Sequence, residues 1–396
     1  MRLVRICLVA CLAVSLIAVP VLASGGAEGQ DFASDQILIH FKAGVGGEVK
    51  HKIHAKHGGQ VVEEIGRINV QVVRVPAGKV LEKIKAYKRE GAVDFAEPDY
   101  AVEAVSIPND PYFGQQWGLA RISAPQAWDV TSGAAVRIAV LDSGVDLNHE
   151  DLTGKVVVSK NFTRSRTFDD LYGHGTHVAG IAAAITDNGR GVAGTAYGST
   201  VMNVKVLGDN GRGYSSWVAS GIIWAADTGA KVISMSLGSA APSSTLENAV
   251  NYAWNKGVLL VAAAGNSNGT TPLYPAYYQN CIAVAATDRN DAKAGFSSYG
   301  SWVDVAAPGV DIFSTVPNHK NSLKMLNYGS LSGTSMAAPH VAGIAALIYD
   351  QVTDADNDGF LNDEVRLRLE STADKTGTIW SDYGIPRVNA YAAVGT

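Results

Sequence analysis

Arg137-Ile138-Ala139-Val140-Leu141-Asp142-Ser143-Gly144 is the stretch on which the reading of the fold turns. An almost uninterrupted apolar run ends in a carboxylate and two turn residues. A run of this length without polar alternation reads as a strand buried on both faces, and strands of that kind belong to parallel sheets. Runs of the same character recur at 201–206, 231–235 and 258–263, and helical stretches at 178–185, 217–226 and 246–254 lie among them. This alternation predicts an α/β domain: a twisted parallel sheet with helices on both faces. Ligands bind such sheets beyond the carboxyl ends of the strands, which is where Asp142 stands. Seen alone, Asp142 is more often a turn or cap residue.

Upstream, Gln36-Ile37-Leu38-Ile39-His40-Phe41 and Ile68-Asn69-Val70-Gln71-Val72-Val73 alternate with period two, while Val80, Ile84 and Tyr87 recur at helical spacing. That is the pattern of a small α+β unit. The connector Ile107-Pro108-Asn109-Asp110-Pro111 then marks a boundary. At the start of the chain Arg2 and Arg5 precede an apolar run over 6–22, with Val21 and Ala23 at the small-residue places of a cleavage site. The reading is a secretory signal peptide over 1–23, a second unit over 24–105 and the sheet domain over 106–396, in a secreted, extracellular protein. Against it stand an uncleaved membrane anchor, for which the run is barely long enough, and a lipoprotein signal at Leu8-Val9-Ala10-Cys11.

Removing 1–23 takes Cys7 and Cys11 with it and leaves Cys281, so no internal disulfide is expected. Stability must then come from core size, bound metal or both. The 396 residues are 47% apolar and 17% charged, enough for a large core and too apolar for disorder. A net charge of −5, from 32 basic and 37 acidic residues, argues against nucleic acid or anionic lipid as a partner. The 42 glycines imply many positions of positive φ or close backbone approach.

Three further segments could carry chemistry. Gly173-His174-Gly175-Thr176-His177-Val178-Ala179-Gly180 opens an apolar helix, and a histidine at a helix N-terminus is expected to have its pKa pushed down by the dipole, as a general base needs. Two histidines three apart also admit a metal site. In Gly329-Ser330-Leu331-Ser332-Gly333-Thr334-Ser335-Met336-Ala337-Ala338-Pro339-His340, small residues leave Ser335 uncrowded at the start of a helix, as a nucleophile or simply as an N-cap. Val261-Ala262-Ala263-Ala264-Gly265-Asn266-Ser267 runs from a strand into a turn whose amide could donate to an oxyanion or serve only the turn. Acyl transfer needs a carboxylate, an imidazole, a hydroxyl and fixed oxyanion donors, and these segments supply all four.

The runs HGTHVAG, AAAGN and GTSMAAPHVAG, with the chain order Asp142, His174, Ser335, resemble the subtilisin-like serine proteases, and most of all the thermitase-type branch. The resemblance extends from near Pro108 to Val388-Asn389-Ala390, and more loosely over the N-terminal unit. It implies Ser335 as nucleophile, His174 as base and then acid, Asp142 as the group fixing the imidazole tautomer, and Asn266 with the Ser335 N–H as oxyanion hole. His177 and His340 are then structural. Gly211-Arg212-Gly213 and Ser236-Leu237-Gly238 correspond to edges that pair with substrate as an added strand. Gly265 would line the primary pocket and Tyr214 a more distant apolar one. The implied activity is a broad endopeptidase with apolar or aromatic preference, acting as a monomer on proteins and peptides.

The resemblance also implies calcium in place of disulfides, held by Asp110, Asp151, Asn188 and the carbonyls of Ile185, Arg190 and Val192. A second candidate calcium loop is Asp354-Ala355-Asp356-Asn357-Asp358-Gly359, which matches the EF-hand pattern at its acidic positions and glycine but has Val365 at position 12, with Glu364 one place early; against calcium stands an acidic loop that caps the following helix. The N-terminal unit resembles the family's ferredoxin-like propeptide, an intramolecular chaperone and inhibitor. Its last strand is expected around residues 100–105, with autocleavage at 104–106. His40, His51, His54 and His57 raise a pH-dependent release, against a solvated helix face. The competing readings are a metallohydrolase using His174 and His177 with Asp169 or Asp170, which lacks a His-Glu-x-x-His base, and a catalytically inactive secreted binding protein of the same fold.

Overall fold

The computed structural model describes residues 32–101 and 107–395. It falls into two compact units divided within the segment 102–106. The signal-peptide reading over 1–23 and the cleavage expected at 104–106 lie outside the described residues.

The N-terminal unit runs β1 (Phe32–Phe41), helix Gly47–His57, β2 (Gln60–Ile65), β3 (Val70–Arg74), helix Val80–Tyr87 and β4 (Val93–Tyr100). Its antiparallel sheet has the order β2-β3-β1-β4, which is the ferredoxin-like arrangement. The period-two pattern of β1 is explained by its faces: Ile37, Ile39 and Phe41 are fully buried, against Val73, Ile84 and Tyr87. The second alternating run starts later than its sequence pattern, because residues 66–68 form a 3₁₀ turn and Asn69 has φ 52°. The last described strand of this unit, β4, ends at Tyr100, and the strand expected around 100–105 lies mostly outside the described residues.

The larger unit is built on β5 (Arg137–Asp142), β6 (Val156–Asn161), β7 (Thr200–Lys205), β8 (Val232–Met235), β9 (Leu259–Ala263), β10 (Ile282–Thr287) and β11 (Val305–Pro308). All pair in parallel in the order β11-β10-β9-β8-β5-β7-β6. β5 sits between β8 and β7, so its apolar run meets cover on both sides of the sheet. Ile138 and Val140 join the core beneath helices His174–Ala183 and Thr334–Ile348, while Ala139 and Leu141 face helices Ser215–Asp227 and Ser244–Trp254. Each fully buried Leu, Ile or Val contributes roughly 1.5–3 kcal/mol of transfer free energy, which suits a sheet without disulfide support. A hairpin of β12 (Ile312–Thr315) and β13 (Tyr328–Leu331) leads to helix Thr334–Ile348.

Candidate active site

Asp142 closes β5 and is 1% exposed. Its Oδ1 accepts the Ser143 N–H at 2.7 Å, and both carboxylate oxygens face His174 Nδ1, at 2.9 and 3.0 Å. His174 is the first residue of its helix. The helix can start this close to the strand because Gly175 has no side chain: a Cβ there would strike the carbonyl of Gly144 and press on Asp142 Cβ. The helix end does not hold the His174 pKa down as its position suggests. Burial pulls it down most, but the charge and hydrogen bond of Asp142, with the charge of Asp170, outweigh burial and leave it above the ordinary imidazole value.

Asp170 had no assigned place in the protease reading, yet it organises the segment before His174. Fully buried, it accepts from the N–H groups of Gly173 (2.7 Å) and Thr176 (2.8 Å) and from the hydroxyls of Thr176 (2.7 Å) and Ser143 (2.8 Å). Its carboxyl pKa is raised, chiefly by burial, against those hydrogen bonds. The legible signal was an acidic residue shortly before a glycine-started helix. Lys205 is a second omission. The Asp142 register partner on β7, it is fully buried, and its ammonium donates to Ser143 O, to Asp169 O at 3.2 Å and to Asp209 at 3.1 Å.

Ser335 is the second residue of helix Thr334–Ile348. Its hydroxyl donates to Ser236 O at 3.3 Å, and the Ser236 hydroxyl donates to Ser335 O at 2.7 Å. Asn266 follows β9. Its Oδ1 accepts from both the N–H (2.9 Å) and the hydroxyl (3.0 Å) of Thr334, which turns its NH₂ the other way. A cavity of about 250 Å³ opens here, lined by Asn266 and Ser335 with Leu237, Gly238, Gly265 and Leu273. Gly265 has φ +106°, and a Cβ on it would press on Leu273 and on Ser298 Oγ at 3.2 Å, narrowing that cavity.

Gly211 and Gly213 lie in the turn after β7, Gly211 beneath the Tyr172 ring and Gly213 against the Val206 carbonyl. Tyr214 is 63% exposed and meets Trp217 edge-on at 4.7 Å. His177 and His340 are buried on backbone carbonyls, Gly329 O and Met336 O, and burial pushes their pKa values down to about 3 and about 4. Among the described residues, no group of three metal-ligating side chains includes His174 or His177.

Asp110 and Asp151 converge on the 185–192 loop. Asp110 accepts the N–H groups of Asp187 (2.9 Å) and Asn188 (3.2 Å), and Asp151 accepts from Asn188 Nδ2 (2.9 Å), Val192 N (2.8 Å) and the Tyr328 hydroxyl (3.0 Å). Burial raises both pKa values, and the charge of Asp151 raises that of Asp110 further. The Arg190 side chain points to Glu150 at 3.8 Å, so only its carbonyl is left for the loop. In the second loop, ligand atoms of Asp354, Asp356 and Asp358 cluster, and so do those of Asp356, Asp363 and Glu364. Val365 is fully buried, whereas Glu364 reaches back to accept from Ala355 N at 2.7 Å. The pattern match alone missed Asp363 and counted Glu364 as one place early, since the helix Asn362–Ser371 is what folds both back toward the loop.

The model of the Subtilase family matches residues 133–388, and that of the Fervidolysin N-terminal prodomain matches 19–99. Thermitase of Thermoactinomyces vulgaris is 53% identical over 292 residues, spanning 72% of this chain and 99% of that protein. A thermophilic serine proteinase of Bacillus sp. (strain AK1) is 45% identical over 370 residues, 92% of this chain and 88% of its own. The solved structure of a protease from Pseudoalteromonas arctica, 36% identical, superposes with a TM-score of 0.67 over 73% of this chain and 99% of that one. With the parallel sheet described above, these matches establish that the chain belongs to the subtilase family, as a thermitase-type serine protease with an N-terminal prodomain.

Proposed function

We propose that the protein is a secreted endopeptidase that cuts peptide bonds through an acyl-enzyme on Ser335. The Ser335 hydroxyl proton turns from Ser236 O to His174 Nε2, and Oγ attacks the scissile carbonyl. His174 carries the proton as imidazolium, stabilised by Asp142 on Nδ1, and delivers it to the leaving amine. The oxyanion is met by the Asn266 NH₂ and the Ser335 N–H, each such donor contributing about 3 kcal/mol. Water then repeats the sequence on the ester. The observation that carries this reading is the shared opening of Asn266 and Ser335 on one uncharged cavity. Its lining of Leu237, Gly238, Gly265 and Leu273 suits a large apolar or aromatic side chain, and the edges at Gly211, Gly213 and Ser236 suit main-chain pairing with little further selectivity.

Two calcium sites support the domain in this reading. Asp110, Asp151, Asn188 and the carbonyls of Ile185, Arg190 and Val192 hold the first, which fits because two buried carboxylates raise each other's energy without a cation. The loop of Asp354, Asp356 and Asp358, with Asp363 and Glu364, holds the second. There Asp354 Oδ1, Asp363 Oδ1 and Glu364 Oε2 are buried without a hydrogen-bond partner among the described residues. Bound calcium supplies charge neutralisation and cross-linking only. The N-terminal unit inhibits its own catalytic domain until cleavage at 104–106. The Ser335→Ala precursor tests the whole: it should keep its intact mass and hydrolyse nothing, and substantial peptidase activity in it would refute the assignment.

A further inference from the structure

The β12–β13 connection, residues 316–327, is far longer than the two to five residues usual for a hairpin, and it is tied to the segment that carries His174. Ser322 N and Leu323 N donate to the carbonyls of Leu171 (3.1 Å) and Tyr172 (3.2 Å), and Leu323 lies against Gly173. Asn318 N donates to Asp146 Oδ2 at 2.9 Å, which fixes the other end of the strap to the turn after β5.

At that end Asp146, Asp169 and His319 bring one ligand atom each within 4.8 Å of one another. The three come from separate segments: the turn after Asp142, the approach to His174, and the strap. Asp146 is fully buried, while Asp169 and His319 are 33% and 30% exposed, leaving a path from solvent. His319 Nδ1 faces the Lys320 carbonyl at 3.3 Å, which can accept a hydrogen bond from Nδ1–H and so favour the tautomer with its lone pair on Nε2. Nε2 in turn lies 3.2 Å from the Asp169 carboxylate, a contact that a ring proton closes in the free protein and that is also the spacing of two ligands on one small cation, which would displace that proton. A histidine held through its other nitrogen by a carbonyl is the usual support of a metal ligand. The existing bonds leave room: Asp146 Oδ1 and Oδ2 each accept one N–H, from Asn148 and Asn318, and Asp169 Oδ1 accepts one from Asp170.

We infer that Asp146, Asp169 and His319 form a site for a divalent transition-metal ion of the zinc class, which pins the strap to the segment leading to His174. One imidazole nitrogen with two carboxylates, completed by water, suits zinc or cobalt better than calcium, which takes oxygen ligands in larger number. In a chain with Cys281 as its one cysteine after residue 23, the ion would serve as a cross-link between segments more than a hundred residues apart in sequence.

The test uses the full chain carrying Ser335→Ala, to prevent autolysis, in millimolar calcium. Cobalt titration should give the visible absorption of a low-coordinate site, at one ion per chain with Kd below about 10 µM. Zinc at a hundredfold excess over its Kd should raise the Tm of the catalytic unit by roughly 5–10 °C. His319→Ala and, separately, Asp169→Asn should abolish both signals while keeping the calcium-saturated Tm and circular dichroism of the parent. Retention of the cobalt spectrum in His319→Ala would overturn the site, and so would the absence of any such spectrum in the parent. Displacement of cobalt by calcium at equal concentration would overturn the metal class.

Discussion

Thr334 holds Asn266 by both of its donors, N–H and hydroxyl, on the single oxygen Oδ1. The same hydroxyl accepts the Gly265 N–H at 3.0 Å, so one side chain fixes the amide and the cavity wall together. Thr334→Val keeps the volume and removes the hydroxyl, letting the carboxamide rock. We expect kcat on a chromogenic peptide to fall about tenfold with KM little changed, as loss of a transition-state interaction requires. An equal loss carried by KM would place Thr334 in ground-state binding instead.

His174 must be neutral to act as a base, and its pKa lies above 6.5. Activity is therefore lost as pH falls through that raised value, and the acidic limb of kcat/KM lies on the alkaline side of an unperturbed histidine. Asp170→Asn removes one of the charges that raise it. The limb should move to lower pH, with Tm reduced by roughly 5 °C because one buried acceptor now serves fewer donors. A limb that does not move would remove Asp170 from the electrostatics of the site.

Chelation separates the calcium reading from packing alone. With a strong chelator the Tm should fall by roughly 10 °C and recover on adding calcium. Asp110→Asn should show a lower Tm already in calcium and a smaller response to the chelator. Identical melting with and without chelator in both proteins would exclude a structural ion.

The buried His54 should make the N-terminal unit pH-sensitive. Its Nε2 meets Gln71 Oε1 at 3.0 Å and its Nδ1 the Tyr87 hydroxyl at 3.1 Å, and burial lowers its pKa. Because the folded state disfavours the charged ring, its contribution is fully present above the unfolded value near 6.5 and is lost as pH falls below it. Hydrogen exchange on the Ser335→Ala precursor should show amides of 49–57 and 70–74 opening faster at pH 5.5 than at pH 8. Equal protection at both would show that His54 does not weaken the unit in acid.

Much of this was legible because the chemistry sits at the ends of strongly patterned elements. β5 and β9 announce themselves as apolar runs, and their last residues lead directly to Asp142 and Asn266. β10 and β11 were less visible, since Ile282–Thr287 and Val305–Pro308 are short and rich in alanine, which favours no period. Lys205 and His319 escaped for another reason. Each acts by what it meets across the fold, at Ser143 and Asp169, and no local spacing encodes those meetings. The direction of the His174 pKa was misjudged because the dipole is local and readable, whereas the opposing carboxylate is brought up from a strand 32 residues earlier.

The central claim is that Ser335 is the nucleophile, and a fluorophosphonate probe tests it most directly. Mature enzyme treated with the probe should gain one adduct per chain, located on Ser335 by peptide mass spectrometry, with activity lost in proportion to labelling. An active enzyme that remains unlabelled, or an adduct on another residue accompanying the loss, would contradict the account.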